Sequence, residues 1–307
     1  MKRTILAAGI VAMAGLAASA VTAEAQKLDE TPRVALISAF EPEWGVHHEK
    51  LTGAATYERA GVRFVTGELG GRDVVLFLSG ISMVNAAMTT QMAIDSFNID
   101  TIVFSGIAGG VDPDLNIGDV VVAEKWGPYL DMVIARETDD GFKVPPFFGT
   151  PFPNYGMMFP QAMEVRSEGS DAPEPKFWFE ADASLLATAR KAVDKLDLED
   201  CGVSGACLSA APKVVVGGNG VSGSAFVDNE DFRQYVSDTF DAKVLDMESA
   251  AVAQVAYANG VPFIVFRSLS DLAGGSDAAN EMQVFMGLAA SNSAAVVEAF
   301  LKETAAN

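Results

Sequence analysis

The chain has 307 residues, half of them hydrophobic, and a formal net charge of −20. So acidic a surface repels phosphate backbones and anionic headgroups, which excludes general nucleic-acid binding and argues against a membrane partner. A neutral nucleoside is compatible with that charge, whereas an anionic nucleotide needs a local basic pocket that no segment supplies.

Lys2 and Arg3 precede an apolar run from Ile5 to Leu16, and Ala18-Ser19-Ala20 and Ala23-Glu24-Ala25 both have the A-x-A form of a cleavage site. This is the layout of a secretory signal peptide, residues 1–25, and the mature chain is expected to begin near Gln26 in the periplasm or outside the cell. The run is too short to cross about 30 Å of hydrocarbon comfortably. Beyond it the sequence shows no second apolar stretch of spanning length. Residues 26–307 suit one large α/β domain. Cys201 and Cys207 are the only cysteines. In an exported chain they are expected to form a bridge, with two unpaired thiols as the alternative.

Apolar, β-branched runs alternate with helical patterns along the mature chain. Strands are predicted at 34–38 and 73–78, a helix at 85–97, and strands at 101–104 and 119–123. A stretch from Trp126 to Phe179, rich in Pro, Phe, Gly and Met, shows neither period and reads as a long insertion. It is either a lid or subunit contact, or a packed excursion. A helix at 183–196, a strand at 213–216 and a helix at 229–240 follow. Residues 244–273 read as strand, helix, tight turn and strand, and a closing helix runs from Asn280 to about Glu303. This alternation implies an α/β fold, a single three-layer αβα domain around a central sheet, mixed because short turns join several early strands.

Open α/β sheets bind ligands beyond the carboxyl ends of their strands. Four segments converge there: Ala39-Phe40-Glu41-Pro42-Glu43, Ser79 to Asn85, Ser105-Gly106-Ile107-Ala108-Gly109-Gly110, and Ser268-Leu269-Ser270-Asp271. Within 244–273 a helix of about 12 residues rises about 18 Å and a strand of 5–6 residues returns about 17–20 Å. Glu248 and Asp271 should therefore share one sheet edge, with Arg267 beside them. A capping residue and a solvated loop acid are the bland alternative for each carboxylate. His47 and His48, the only histidines, read as surface residues of a short helix.

The motifs GIAGGVDPDLNIGDVVVAE, LSGISMVNA and VLDMESAAVAQVA…FRSLSD resemble the purine nucleoside phosphorylase/nucleosidase superfamily. The nearest branch looks like 5′-methylthioadenosine/S-adenosylhomocysteine nucleosidase, over roughly residues 33–303. The resemblance implies cleavage of the N-glycosidic bond of a purine nucleoside, without cofactor or metal, in a homodimer or larger assembly. It also implies roles. Asp271 matches the general acid at the purine N7, oriented by Ser270. Glu248 matches the carboxylate holding the ribose hydroxyls, with Met247 packed on the sugar and Arg267 holding the acids. Glu43 matches the acid that positions or deprotonates water. Phe40, Ile107, Ala108 and Gly109 are expected to line the pocket. The purine-stacking aromatic of the family aligns here with Val221, so Phe226 is the candidate replacement.

No Arg or Lys lies between Ser79 and Asn85, and Glu41 and Glu43 follow the first strand. A phosphate dianion wants bidentate cationic donors. Water is therefore the expected nucleophile. A phosphate-dependent phosphorylase and a non-catalytic exported nucleoside-binding or storage protein are the alternatives.

Overall fold

The computed structural model describes residues 27–194, 196–203, 205–275 and 279–306. The expected signal peptide lies outside them. Strand β1 (Asp29–Ser38) leads into helix α1 (Glu41–His48). Strands β2 (Thr52–Arg59), β3 (Val62–Leu69) and β4 (Arg72–Leu78) follow, then α2 (Met83–Ser96) and the long β5 (Phe97–Gly110). Next come β6 (Val120–Val122) and β7 (Lys125–Pro128). After the excursion described below, α3 (Ala183–Ala192) precedes the rest of the fold.

Val34–Ile37, Val74–Phe77 and Ile102–Phe104 are buried on both sides, the mark of central strands in a sheet covered on both faces. Strand β1 runs parallel between β4 and β5, with Leu36 level with Leu76 and Val103. Strands β2, β3 and β4 form an antiparallel meander. Its two turns, Ala60-Gly61 and Gly70-Gly71, all have positive φ, the conformation that matches the twist of a two-residue hairpin. The mixed sheet expected from the short turns is thus observed.

The segment 126–179 is not a single loop. Its ends belong to the sheet: β7 pairs with a later strand, Phe179–Glu180, and Trp126 and Phe179 are buried. In order, the short strands are β8 (Met132–Ile134), β9 (Arg136–Thr138), β10 (Gly141–Lys143), β11 (Met158–Pro160), β12 (Met163–Val165), β13 (Glu174–Lys176) and β14 (Phe179–Glu180). They form the ribbons β8–β11, β9–β10 and β12–β13. Strands of two or three residues are too short to display alternation, which explains their invisibility in the sequence.

The remaining elements are β15 (Val214–Val216), β16 (Asn219–Ser222), α4 (Glu230–Phe240), β17 (Ala242–Asp246), α5 (Ser249–Ala258), β18 (Phe263–Asp271) and α6 (Met282–Ala306). Asn229 caps α4 by accepting from Phe232 N. Strand β18 lies parallel to β5, whereas β17 meets β5 antiparallel at Gly109–Gly110. Helices α1, α3 and α6 pack together on the sheet, and α2 pairs with α5. Helix α6 has the length and composition of a membrane span, contrary to the sequence expectation. It packs on β5 and β18, and Leu288, Val296, Val297 and Phe300 are buried there. Cys201 and Cys207 are disulfide-bonded in the connection between α3 and β15.

Candidate active site

Strand β5 is the hub of the site. Its Ile107, Ala108 and Gly109 line a pocket of about 700 Å³ of empty space, counted out to its open mouth. Phe40 and Glu43 enter from α1, Met247 and Glu248 from the turn between β17 and α5, Ser270 and Asp271 from the end of β18, and Phe226 from the loop after β16. The carboxylates expected to converge do so, in one pocket.

Glu43 sits in the first turn of α1 and folds back on the sheet. Its Oε2 accepts from Ala39 N at 2.6 Å and its Oε1 from Ile107 N at 2.8 Å. Burial pushes its pKa up, opposed by the Arg267 guanidinium and by these backbone donors. Glu248 stands at the N-terminus of α5, where the helix dipole favours an anion. Its Oε1 accepts from Ser82 N at 2.8 Å. Burial raises its pKa to about 7, with Asp246 and Glu43 adding to the rise and Arg267 opposing it. Asp271 accepts from Ala273 N at 2.8 Å and from Ser270 Oγ at 3.0 Å, and burial raises its pKa as well.

Arg267 is wholly buried and does not line the pocket. It lies behind the acids. Nε donates to Asp246 Oδ2 at 2.7 Å, Nη2 to Glu248 Oε2 at 3.4 Å, and Nη1 lies 3.8 Å from Glu43 Oε1. Its guanidinium also covers the Phe104 ring at 4.0 Å. This packing needs a glycine at position 106, level with Arg267 on the neighbouring strand. A Cβ there would stand 2.1 Å from Arg267 Nη1 and 2.5 Å from Glu43 Oε1.

Asp246 organises the turn between β17 and α5. It accepts from Ser222 Oγ at 2.5 Å, from the backbone N–H of Glu248 and Ser249, and from Ser249 Oγ. The polar DMES sequence after an apolar strand was the available signal. Ile81, Ala225, Val227, Leu245 and Met282 also line the pocket, without having been singled out from the sequence.

Two sequence expectations are corrected. Val221 is not at the site: it lies in β16 between β7 and β17, in a buried cluster with Tyr129, Phe177 and Phe240. Phe226, five residues on and 57% exposed, lines the pocket together with Phe40. His47 is not a surface residue. It lies one helical turn after Glu43 on the inner face of α1, and burial drives its pKa down to about 4. His48 is exposed and stacks on Trp44 at 4.0 Å.

The loop Gly80–Ser82 forms one lip of the pocket. Ser82 has φ 84° and ψ 156°, a region that only glycine adopts without strain, of about 1–3 kcal/mol. Among the described residues no group of three or more His, Cys, Asp or Glu could hold a metal ion.

The family model of the phosphorylase superfamily matches residues 33–302. A 5′-methylthioadenosine/S-adenosylhomocysteine nucleosidase of Tolumonas auensis is 30% identical over 272 residues, covering 88% of this chain and 99% of its own. The enzyme of the same name from Staphylococcus aureus is 31% identical over 271 residues, again 88% of this chain and 99% of the relative. Among solved structures, the Colwellia psychrerythraea nucleosidase in complex with adenine superposes with a TM-score of 0.66 at 29% identity, covering 88% of this chain and 95% of that one.

Proposed function

The chain belongs to the phosphorylase superfamily, and on that footing we propose that it hydrolyses the N-glycosidic bond of a purine nucleoside of the 5′-methylthioadenosine or S-adenosylhomocysteine type. The observation that carries this reading is one pocket with Glu43, Glu248 and Asp271 in its wall and no Lys, Arg or His among its described lining residues.

The bond between the sugar C1′ and the purine nitrogen breaks with its electron pair going to the base. Asp271, its pKa raised by burial, is placed to deliver a proton to N7. Ser270 fixes the carboxyl by donating to it. Positive charge developing on the sugar is stabilised by Glu248, which also accepts from the ribose hydroxyls. Met247 packs on the sugar and Phe226 on the base. Glu43 takes the proton of the water that attacks C1′. Each of its oxygens keeps a free lone pair beyond the backbone bonds.

The one nearby guanidinium, Arg267, is spent on three carboxylates and wholly buried. That disfavours phosphate as nucleophile, because a dianion needs cationic donors of its own. Assembly into at least a dimer and export to the periplasm or outside the cell are part of the same proposal. Val84 and Met88, at helical spacing after the pocket residue Ile81, are 77% and 52% exposed, a surface suited to a subunit contact. The deciding experiment is incubation with a panel of purine nucleosides with and without phosphate. Free base and free sugar in both arms are expected. A sugar 1-phosphate appearing only with phosphate would overturn hydrolysis.

A further inference from the structure

The loop 223–229, which carries Phe226, is tied down at both ends. Gly223 N donates to Asp246 O at 3.1 Å, and Asn229 N donates to Ala273 O at 3.1 Å. Between those anchors Val227 is buried, but Ser224 and Phe226 are both exposed. One side-chain bond crosses the mouth of the pocket there: Ser82 Oγ donates to Ser224 Oγ at 2.7 Å. Ser82 is the residue whose backbone N–H donates to Glu248. It is also held at φ 84°, where glycine would be relaxed. That strained backbone is held by the N–H bond to Glu248, by Ala86 N donating to the Ser82 carbonyl at 3.1 Å, and by the bond of the hydroxyl to Ser224.

We propose that Ser82 is a positioning residue that latches the Phe226 loop across the pocket and, through its own N–H, ties that closure to the orientation of Glu248. Breaking this bond between the two lips frees Phe226 to swing away from the base. Its role in turnover rests on the nucleoside-hydrolase reading, but the latch itself does not.

Hydrogen exchange at the amides of Ala225, Phe226 and Val227 reads the latch with no nucleoside present. Ser224→Ala and Ser82→Ala should each speed exchange there about fivefold, the usual net worth of one hydrogen bond. The double variant should be no faster than either single, because both remove the same bond. Ser82→Gly removes the hydroxyl and relieves the backbone, so exchange should quicken while thermal stability holds or rises. That variant separates loss of the latch from partial unfolding. In Ser224→Ala the KM for a purine nucleoside should rise several-fold with kcat kept. Unchanged exchange in either single variant, or additive effects in the double, overturns the latch. A wild-type protein inactive on every nucleoside would sink the hydrolase reading alone, leaving the exchange result to stand for the latch.

Discussion

Replacing Glu43 by Gln removes a charge, but it is not a silent change of shape. Both carboxylate oxygens already accept from backbone donors, Ala39 N at 2.6 Å and Ile107 N at 2.8 Å. A glutamine offers one oxygen and one NH2 group, so one backbone N–H must face another donor. Leaving a buried N–H unpaired costs about 1–3 kcal/mol. At about 2–4 °C per kcal/mol for a chain of this size, the melting temperature should fall by about 2–12 °C. The amide also cannot take a proton from water, so turnover should fall by about 10²–10⁴. Thermal melts and initial rates at saturating nucleoside read the two effects separately. Wild-type turnover in the variant would refute Glu43 as the base. An unmoved melting temperature would refute the doubly bonded carboxylate.

Asp271→Asn makes the opposite structural prediction. Its oxygen still accepts from Ala273 N, and Ser270 Oγ can turn from donor to acceptor, so stability should hold while turnover falls by about 10²–10⁴. In the wild type, kcat/KM should rise with pH through about 7 as Glu248 ionises, and a profile flat through pH 7 would count against its role. His47 should make the fold acid-sensitive. Its pKa falls from 6.5 to about 4 on burial, so its contribution is complete above 6.5 and lost as pH drops through 4. His47→Leu should therefore gain about 3 kcal/mol on the wild type between neutral pH and pH 4 in denaturant titrations, and a gap independent of pH would refute this. Reducing Cys201–Cys207 should cost about 2 kcal/mol, as expected for so small a ring, and leave initial rates unchanged, since neither cysteine lines the pocket.

What the sequence could reveal depended on length and register. Apolar runs such as Val34–Ile37 and Phe263–Phe266 are buried on both faces, so their strand character is written in composition alone. Glu248 and Asp271 do line one pocket, although the helix of 244–273 is 10 residues and its second strand 9, against the 12 and 5–6 expected. Strands of two or three residues between Met132 and Glu180 leave no period to read. The sequence offered both Val221 and Phe226, because a five-residue offset moves a side chain from a sheet interior to a loop and SGSAF gives no local sign of where the strand ends. The burial of His47 was not legible. Glu43, Trp44 and His47 fall at helical spacing on one buried face, but two of the three are polar, so no apolar stripe marks that face in the sequence.

The arrangement around Arg267 explains why one chain segment serves both stability and chemistry. Three carboxylates, those of Glu43, Asp246 and Glu248, surround a single buried guanidinium. Removing Arg267 would leave buried anions uncompensated, which is far costlier than losing an exposed pair. Yet one cation cannot neutralise three anions, and the surplus is negative. Burial then acts on the surplus by raising the pKa of Glu43 and Glu248. A pocket with that imbalance is poorly matched to a phosphate dianion and well matched to a sugar carrying positive charge. In the proposed reaction that positive charge exists only as the glycosidic bond breaks, so the electrostatic mismatch of the empty pocket becomes complementarity at the transition state. Gly106 is the sequence's concession to this design. Only a residue without a Cβ lets β5 pass close enough to β18 for Arg267 to reach Glu43 at all.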